Sequence, residues 1–398
     1  MIYLDYNATT PLRPEVLEAM LPYFQRHFGN PSSVHGAGRQ AKQGVEEARE
    51  RIAEFLHCRP AEVLFTSGGT ESNNLALTGV RDALRHKGSH IITTAIEHSS
   101  ILEPLDALAT EGATITQLPV NGEGRVNADE LAAALRPDTV LVSISLANHE
   151  IGTIQPIVDL SRMTKARGIC FHVDAVQAAG KMPLDVTSLG VDLLSLSAHK
   201  ISGPKGVGAL YVRKGTRLSP LLRGGPQERE KRAGTENVAA IVGFAVAATV
   251  AARELEMSVA HCGQLLQQLW DGIVQRIPGA VLNSPTHQRL PNTLNVGFSD
   301  ATGEGLMMGL DLAGIAVSTG SACAAGSLEP SHVLLALGRT AEEAKGALRF
   351  SVGKETTAQE IDRVLEVLPQ VVERVRNAVK SYELTLRARD KKGIESPI

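Results

Sequence analysis

The chain has 398 residues, 43% of them hydrophobic and 21% charged, a balance that excludes wholesale disorder and leaves room for two or three domains. Forty Lys and Arg against 43 Asp and Glu leave a net charge of −3, so there is no basic surplus to hold a nucleic-acid backbone. The four cysteines (58, 170, 262 and 323) lie far apart with no CxxC pair, which excludes a disulfide-stapled scaffold and a cysteine zinc cluster and fits a reducing, cytoplasmic setting.

The start, MIYLDYNATTP, has no basic stretch leading into an apolar one, and no signal peptide is read there. From about residue 60 to 215, short β-branched runs alternate with helix-period stretches. Strands are predicted at Glu62–Thr66, His90–Glu97, Ala113–Pro119, Thr139–Ala147, Ile169–Ala175, Asp192–Ser197 and Gly208–Val212. Helices are predicted at Ser72–His86, Ile101–Glu111, Ala128–Leu135 and Ile157–Arg167. Such alternation predicts an α/β layer with a mostly parallel sheet and a ligand at the carboxyl ends of its strands.

A long helical pattern follows from Val238 to Ile277, with a bend expected at His261-Cys262-Gly263. Its most apolar run, Val238–Ala252, is short of the roughly 20 residues that cross a bilayer and reads as a buried helix. Strands at Thr293–Phe298, Ile315–Ser318 and Leu348–Val352, with helices at Glu304–Leu312 and Ala358–Tyr382, predict a smaller α+β domain. The expected division is a large domain over 14–255 and a small one formed by 1–13 and 256–398, with 387–398 expected to be mobile.

Five segments could carry chemistry. Ser67-Gly68-Gly69-Thr70 follows a strand and opens a helix, which suits one phosphate, although a plain glycine turn reads the same way. Ser197, His199 and Lys200 end a hydrophobic strand, where desolvation favours a nucleophilic amine able to form a Schiff base; a solvated loop lysine is the alternative. His172 and Asp174 share one strand face by period-2 alternation. Asp174 could keep a pyridine nitrogen protonated, and no third ligand stands at useful spacing for a metal. His98 also ends a strand. Cys323 sits in Ser318-Thr-Gly-Ser-Ala-Cys-Ala-Ala-Gly-Ser327, a small polar stretch where a thiol can ionise and attack, whereas Cys170 lies among large apolar neighbours.

In order and spacing these segments, with Gly29-Asn30-Pro31-Ser32-Ser33 and Arg232-Ala-Gly-Thr235-Glu-Asn237, resemble the class V, pyridoxal-phosphate-dependent cysteine desulfurases of the NifS/IscS type. The resemblance runs from Tyr3 to about Tyr382. It implies the fold type I of pyridoxal-phosphate transferases, with a seven-stranded sheet, and a homodimer. It also implies that Lys200 carries pyridoxal 5′-phosphate, Asp174 pairs with its pyridine nitrogen, His98 stacks on its ring and Gln177 bonds its phenolic oxygen. Gly69, Thr70, Ser197 and His199 would cradle the phosphate, joined by Thr235 from the neighbouring subunit. Asn30 and Arg349 would clamp the carboxylate of L-cysteine, and Cys323 would take its sulfur as a persulfide for an acceptor protein, an iron–sulfur scaffold being one candidate. The cysteine loop resembles the longer kind, which passes sulfur to a separate protein.

Three departures stand out. Asn148-His149-Glu150 replaces Asn-Asn-Glu, so His149 occupies a position near cofactor and substrate. Pro226 and Ala233 replace a glycine and a serine ahead of Thr235. The ending RARDKKGIESPI is unlike that of members that dock an iron–sulfur scaffold. Selenocysteine lyases and other class V enzymes are the nearest alternatives. A silent interaction module would need none of Lys200, Asp174, His98 and Cys323.

Overall fold

The alternating stretch folds as its periodicity predicts. In the computed structural model, which describes residues 1–320 and 329–390, a short strand β1 (Ile2–Tyr3) precedes helices α1 (Pro14–Gln25) and α2 (Gly36–Leu56). Then come β2 (Val63–Thr66), α3 (Gly69–Leu84), β3 (His90–Thr94), α4 (Ser99–Thr110), β4 (Thr114–Leu118), α5 (Ala128–Ala134) and β5 (Thr139–Ser145). The series closes with α6 (Ile157–Ala166), β6 (Cys170–Asp174), α7 (Val186–Leu189), β7 (Leu193–Ser197) and β8 (Gly208–Val212).

These strands form one seven-stranded sheet in the order β2-β8-β7-β6-β5-β3-β4. Only β8 runs against its neighbours β7 and β2. Adjacent residues alternate between the faces. Ile92, Val142, Phe171 and Leu194 join the core filled by α2, α6 and the first half of the long helix that follows the sheet, while Ile91, Leu141, Cys170 and Leu193 join the one filled by α3 and α4. Helices on both faces explain why these strands read as unbroken apolar runs.

Helix α8 (Val238–Arg276) continues through His261-Cys262-Gly263 without the irregularity expected there. A glycine costs a helix about 1 kcal/mol, and local packing offsets this: Cys262 is buried in a second core, and His261 Nε2 bonds the Thr356 carbonyl at 2.8 Å. The expected boundary at 255/256 falls inside this helix. Its first half packs on the seven-stranded sheet, through Ile241, Phe244 and Ala248, and its second half in the other core, through Leu265, Leu269 and Ile273. By length and composition α8 could cross a membrane; here its apolar residues fill the two cores.

The second core holds β9 (Ala280–Leu282), β10 (Thr293–Phe298), α9 (Gly303–Asp311), β11 (Ile315–Ala316), α10 (His332–Ala336), α11 (Ala341–Lys345), β12 (Ala347–Ser351) and α12 (Ala358–Asp390). Strands β12, β10 and β9 make an antiparallel sheet, and β1 pairs in parallel with β11. The N-terminal strand therefore pairs within this part, and Asp5 bridges Ser351 at the end of β12. Helix α12 continues past the expected stop at Tyr382 to Asp390. Of the tail expected to be mobile, 391–398 lies outside the described residues.

Candidate active site

The parallel strands deliver their carboxyl ends to one edge of the sheet, and a cavity of about 390 Å³ opens there. After β2 the chain turns at Gly68 and starts α3 with Gly69 and Thr70, which line the cavity with the free N–H groups of a helix start. A Cβ on Gly69 would come within 2.7 Å of Val176 in the opposite wall, so only glycine fits there. The Ser197 side chain, ending β7, stands beside this turn.

Asp174 ends β6 and is 7% exposed. Its Oδ2 accepts from Asn73 Nδ2 (2.8 Å) and its Oδ1 from the Val176 N–H (2.9 Å), so it is held as an oriented acceptor in the cavity wall. One turn beyond Ser197, the Lys200 amine donates to the carbonyls of Asn7 (2.5 Å) and Ala8 (2.8 Å). His199 Nδ1 bonds Thr9 Oγ1 at 3.1 Å, and burial, then the Lys200 and Lys205 charges, push its ring down to about 4. His98 caps α4, its Nδ1 accepting from the Ser100 N–H (3.1 Å). The His149 ring stands edge-on to it, with centroids 5.2 Å apart at 84°. Burial holds His149 well below the ordinary histidine range, with the His98 and Arg349 charges adding to it.

On the opposite wall Arg349, in β12, is 2% exposed. One terminal nitrogen donates to the His149 carbonyl (3.1 Å) and the other to Asp5 Oδ1 (2.7 Å). Its Nε has no partner among the described residues, a buried donor suited to an incoming carboxylate. Two further carboxyls underlie the site. Glu97 accepts from the Ser145 N–H and hydroxyl and from Thr94 Oγ1. Glu150 accepts from Ser331 Oγ (2.7 Å). Burial pushes each up to about 7.

Of the residues singled out by sequence, Gly69, Thr70, His98, His149, Asp174, Gln177, Ser197, His199, Lys200 and Arg349 line this one cavity. Asn30 and Thr235 are exposed and do not line it within a single chain, and Cys323 lies outside the described residues. Gly320, two residues along from the strand-like Ser318–Arg349 bridge, does line it. His172, the other half of the considered metal pair, is fully buried between the hydroxyls of Ser143 and Ser195 (2.9 Å each) and faces no ligand. Sequence reading missed Asn7 and Asn73. For Asn73 the signal was present, since it follows Gly69 by four residues on one helix face; for Asn7 only the fold brings the N-terminus to Lys200.

The donor set fits pyridoxal 5′-phosphate: an amine, a buried carboxylate held as an acceptor, an aromatic ring at the wall, and hydroxyls beside a helix start.

The family model for aminotransferase class-V matches residues 2–364. A cysteine desulfurase IscS of Dictyoglomus turgidum is 51% identical over 375 residues, covering 94% of this chain and 95% of its own. Among solved structures, a NifS-like protein superposes with a TM-score of 0.88 at 41% identity, covering 94% of this chain and 99% of its own. SspA in complex with cysteine superposes with a TM-score of 0.79 at 36% identity, covering 90% and 100%.

Proposed function

The chain belongs to the class-V aminotransferase family, and on that premise we propose that it is a cysteine desulfurase, converting L-cysteine to L-alanine and leaving the sulfur as a persulfide on Cys323. One observation carries this reading: Lys200, Asp174, His98, the start of α3 and Arg349 converge on one cavity whose wall includes Gly320, three residues before Cys323 in the chain. The similarity to a named IscS desulfurase and to a structure holding cysteine supports the same substrate. The chemistry balances. The substrate's Cβ–S bond breaks, a bond forms between that sulfur and Cys323 Sγ, and Cβ gains hydrogen to become the methyl of alanine. The persulfide then waits for an acceptor, a protein of iron–sulfur assembly or of thiolation.

Lys200 would carry the cofactor, Asp174 would face its pyridine nitrogen, and Gly69, Thr70, Ser197 and His199 would hold its phosphate. When bound, pyridoxal phosphate supplies an electron sink at the substrate's Cα. Arg349, already fixed by Asp5 and the His149 carbonyl, takes the substrate carboxylate through its remaining donor capacity. The Lys200 amine, drawn to the Asn7 and Ala8 carbonyls, is the base for the Cα proton. His98 presents its ring at the wall, fixed by Ser100, and His149 offers a neutral imidazole.

The same reading makes the enzyme a homodimer, with Thr235 of the partner subunit completing each phosphate site and Asn30 at the substrate. Leu17, Leu21 and Phe24 line one face of α1 at 42–60% exposure, and Phe28 beyond it is 75% exposed. Such an apolar stripe fits burial against a second copy.

The test is incubation with L-cysteine and a reductant, with alanine and sulfide expected in equal amounts. Cys323→Ser should retain the visible absorbance of bound cofactor and lose sulfide release. A colourless parent protein, or a Cys323→Ser variant with full activity, overturns the reading.

A further inference from the structure

Behind Lys200 lies a second, smaller cavity of about 100 Å³, and Lys200 and Lys181 both line it. Lys181 is absent from every role above, yet it is wired to the site. Its Nζ donates to Gln177 Oε1 (2.7 Å) and to Asn7 Oδ1 (3.2 Å). Gln177 Nε2 donates in turn to the Asn7 carbonyl (2.9 Å), the same oxygen that receives the Lys200 amine. Asn7 is 1% exposed, and its remaining groups are engaged by His149, Thr293, Asn292 and Ser351.

The partners fix which way the Gln177 amide points. The end near the Asn7 carbonyl meets an acceptor and must be the NH₂. The end near Lys181 meets a donor and must be the oxygen. The Asn7 carbonyl sets which end is the NH₂, and Lys181 holds the oxygen end in place. So held, the Gln177 NH₂ keeps one N–H for Asn7 and a second to aim into the cavity that Gln177 lines.

We propose that Lys181 is a positioning residue: by holding Gln177 Oε1 and Asn7 Oδ1 it keeps an N–H of Gln177 aimed at the cofactor's phenolic oxygen and keeps the Asn7 carbonyl at the Lys200 amine. This rests on the pyridoxal-phosphate reading above. Burial, then the Lys200 and Arg349 charges, push the Lys181 amine down to about 7. In either protonation state it keeps the two N–H groups this role needs. Lys200 and Arg349 face it from the site side. Across the second cavity stand Arg13, Lys354, Glu254, Glu355 and the Cys262 thiol.

The experiment is a pH titration of the visible absorbance of the substrate-free, cofactor-loaded enzyme, in the parent and in Lys181→Met and Lys181→Arg. An N–H on the phenolic oxygen stabilises its anionic form, and a nearby cation disfavours proton uptake, so losing Lys181 acts in one direction on both counts. Lys181→Met should raise the absorbance midpoint by about one pH unit, the size of one hydrogen bond to a charged group. Lys181→Arg, which keeps a cationic donor, should stay near the parent. If Lys181→Met does not fold, Lys181→Leu, which likewise has neither charge nor donor, gives the same reading. A midpoint unmoved in the neutral variants, or moved equally by Met and Arg, overturns the role of Lys181. A parent without visible absorbance overturns the cofactor reading instead, so the two failures are distinct.

Discussion

Arg349, in the wall of the cavity, forms an ion pair of 2.7 Å with Asp5 behind it, their side chains 3% and 18% exposed. The two residues come from opposite ends of the chain, and the Asp5–Ser351 bridge brings them together. An arginine already pinned by a carboxylate presents its remaining donors in one orientation, so less freedom is lost when a substrate carboxylate arrives. Asp5→Asn keeps the shape and removes the charge. It should raise KM for L-cysteine about tenfold, in keeping with one charge-assisted hydrogen bond, and leave kcat within about twofold. A larger fall in kcat than rise in KM would contradict a role confined to substrate binding.

Much of this arrangement was legible in the sequence, for a physical reason. The seven-stranded sheet is built from local periods, and residues at strand ends fall on one edge of a parallel sheet without further information. Gly69, Asp174, Ser197 and Lys200 are all of this kind. Asn7, Lys181 and the Asp5–Arg349 pair were not legible, because their positions depend on contacts between residues 170 to 344 apart in sequence. The uninterrupted α8 was misread because a local glycine signal was outweighed by two cores that each bury half of the helix.

His149 stands where relatives of the NifS/IscS type commonly carry asparagine, and a new histidine suggests a new titration. The structure argues otherwise. Burial and the neighbouring His98 and Arg349 hold its ring well below the usual range, so it stays neutral through the working pH. His149→Asn is expected to change KM by a few-fold while its pH–rate profile above about pH 6 overlays that of the parent. A limb lost from the profile in the variant would assign His149 a proton-transfer role instead.

The loop that carries Thr235 is tied back to the sheet by a buried ion pair. Arg49 reaches Glu228 through two bonds of 2.8 Å, and Glu228 also accepts from the Phe65 N–H in β2. Glu228, Arg229 and Glu230 adopt positive φ in succession, so this backbone is held by its anchors. Removing one partner leaves the other buried and uncompensated, at a cost of about 3–5 kcal/mol. Glu228→Gln should therefore lower the thermal midpoint markedly. Because the loop is proposed to reach the neighbouring site, it should also weaken cofactor retention. Arg49→Met should lower the midpoint as well, by leaving the Glu228 carboxylate buried without its cation, and an Arg49→Met variant as stable as the parent would refute the charge argument.

His172 links three strands of the sheet, its ring between the hydroxyls of Ser143 in β5 and Ser195 in β7. Burial pushes it down to about 3 from an ordinary 6.5. Between those values the unfolded chain takes up a proton that the folded one refuses, so the folded state is favoured less as the pH falls. The contribution is fully present above pH 6.5 and lost by about 1.4 kcal/mol per unit below it. His172→Gln can still meet both hydroxyls with an amide and has no proton to gain. It should be less stable than the parent at pH 7, through imperfect packing. The gap should narrow by about 2 kcal/mol on going to pH 5, read from urea midpoints at the two pH values. A gap that stays constant across that interval would mean His172 is protonated in the fold, and the two hydroxyls would then both be acceptors.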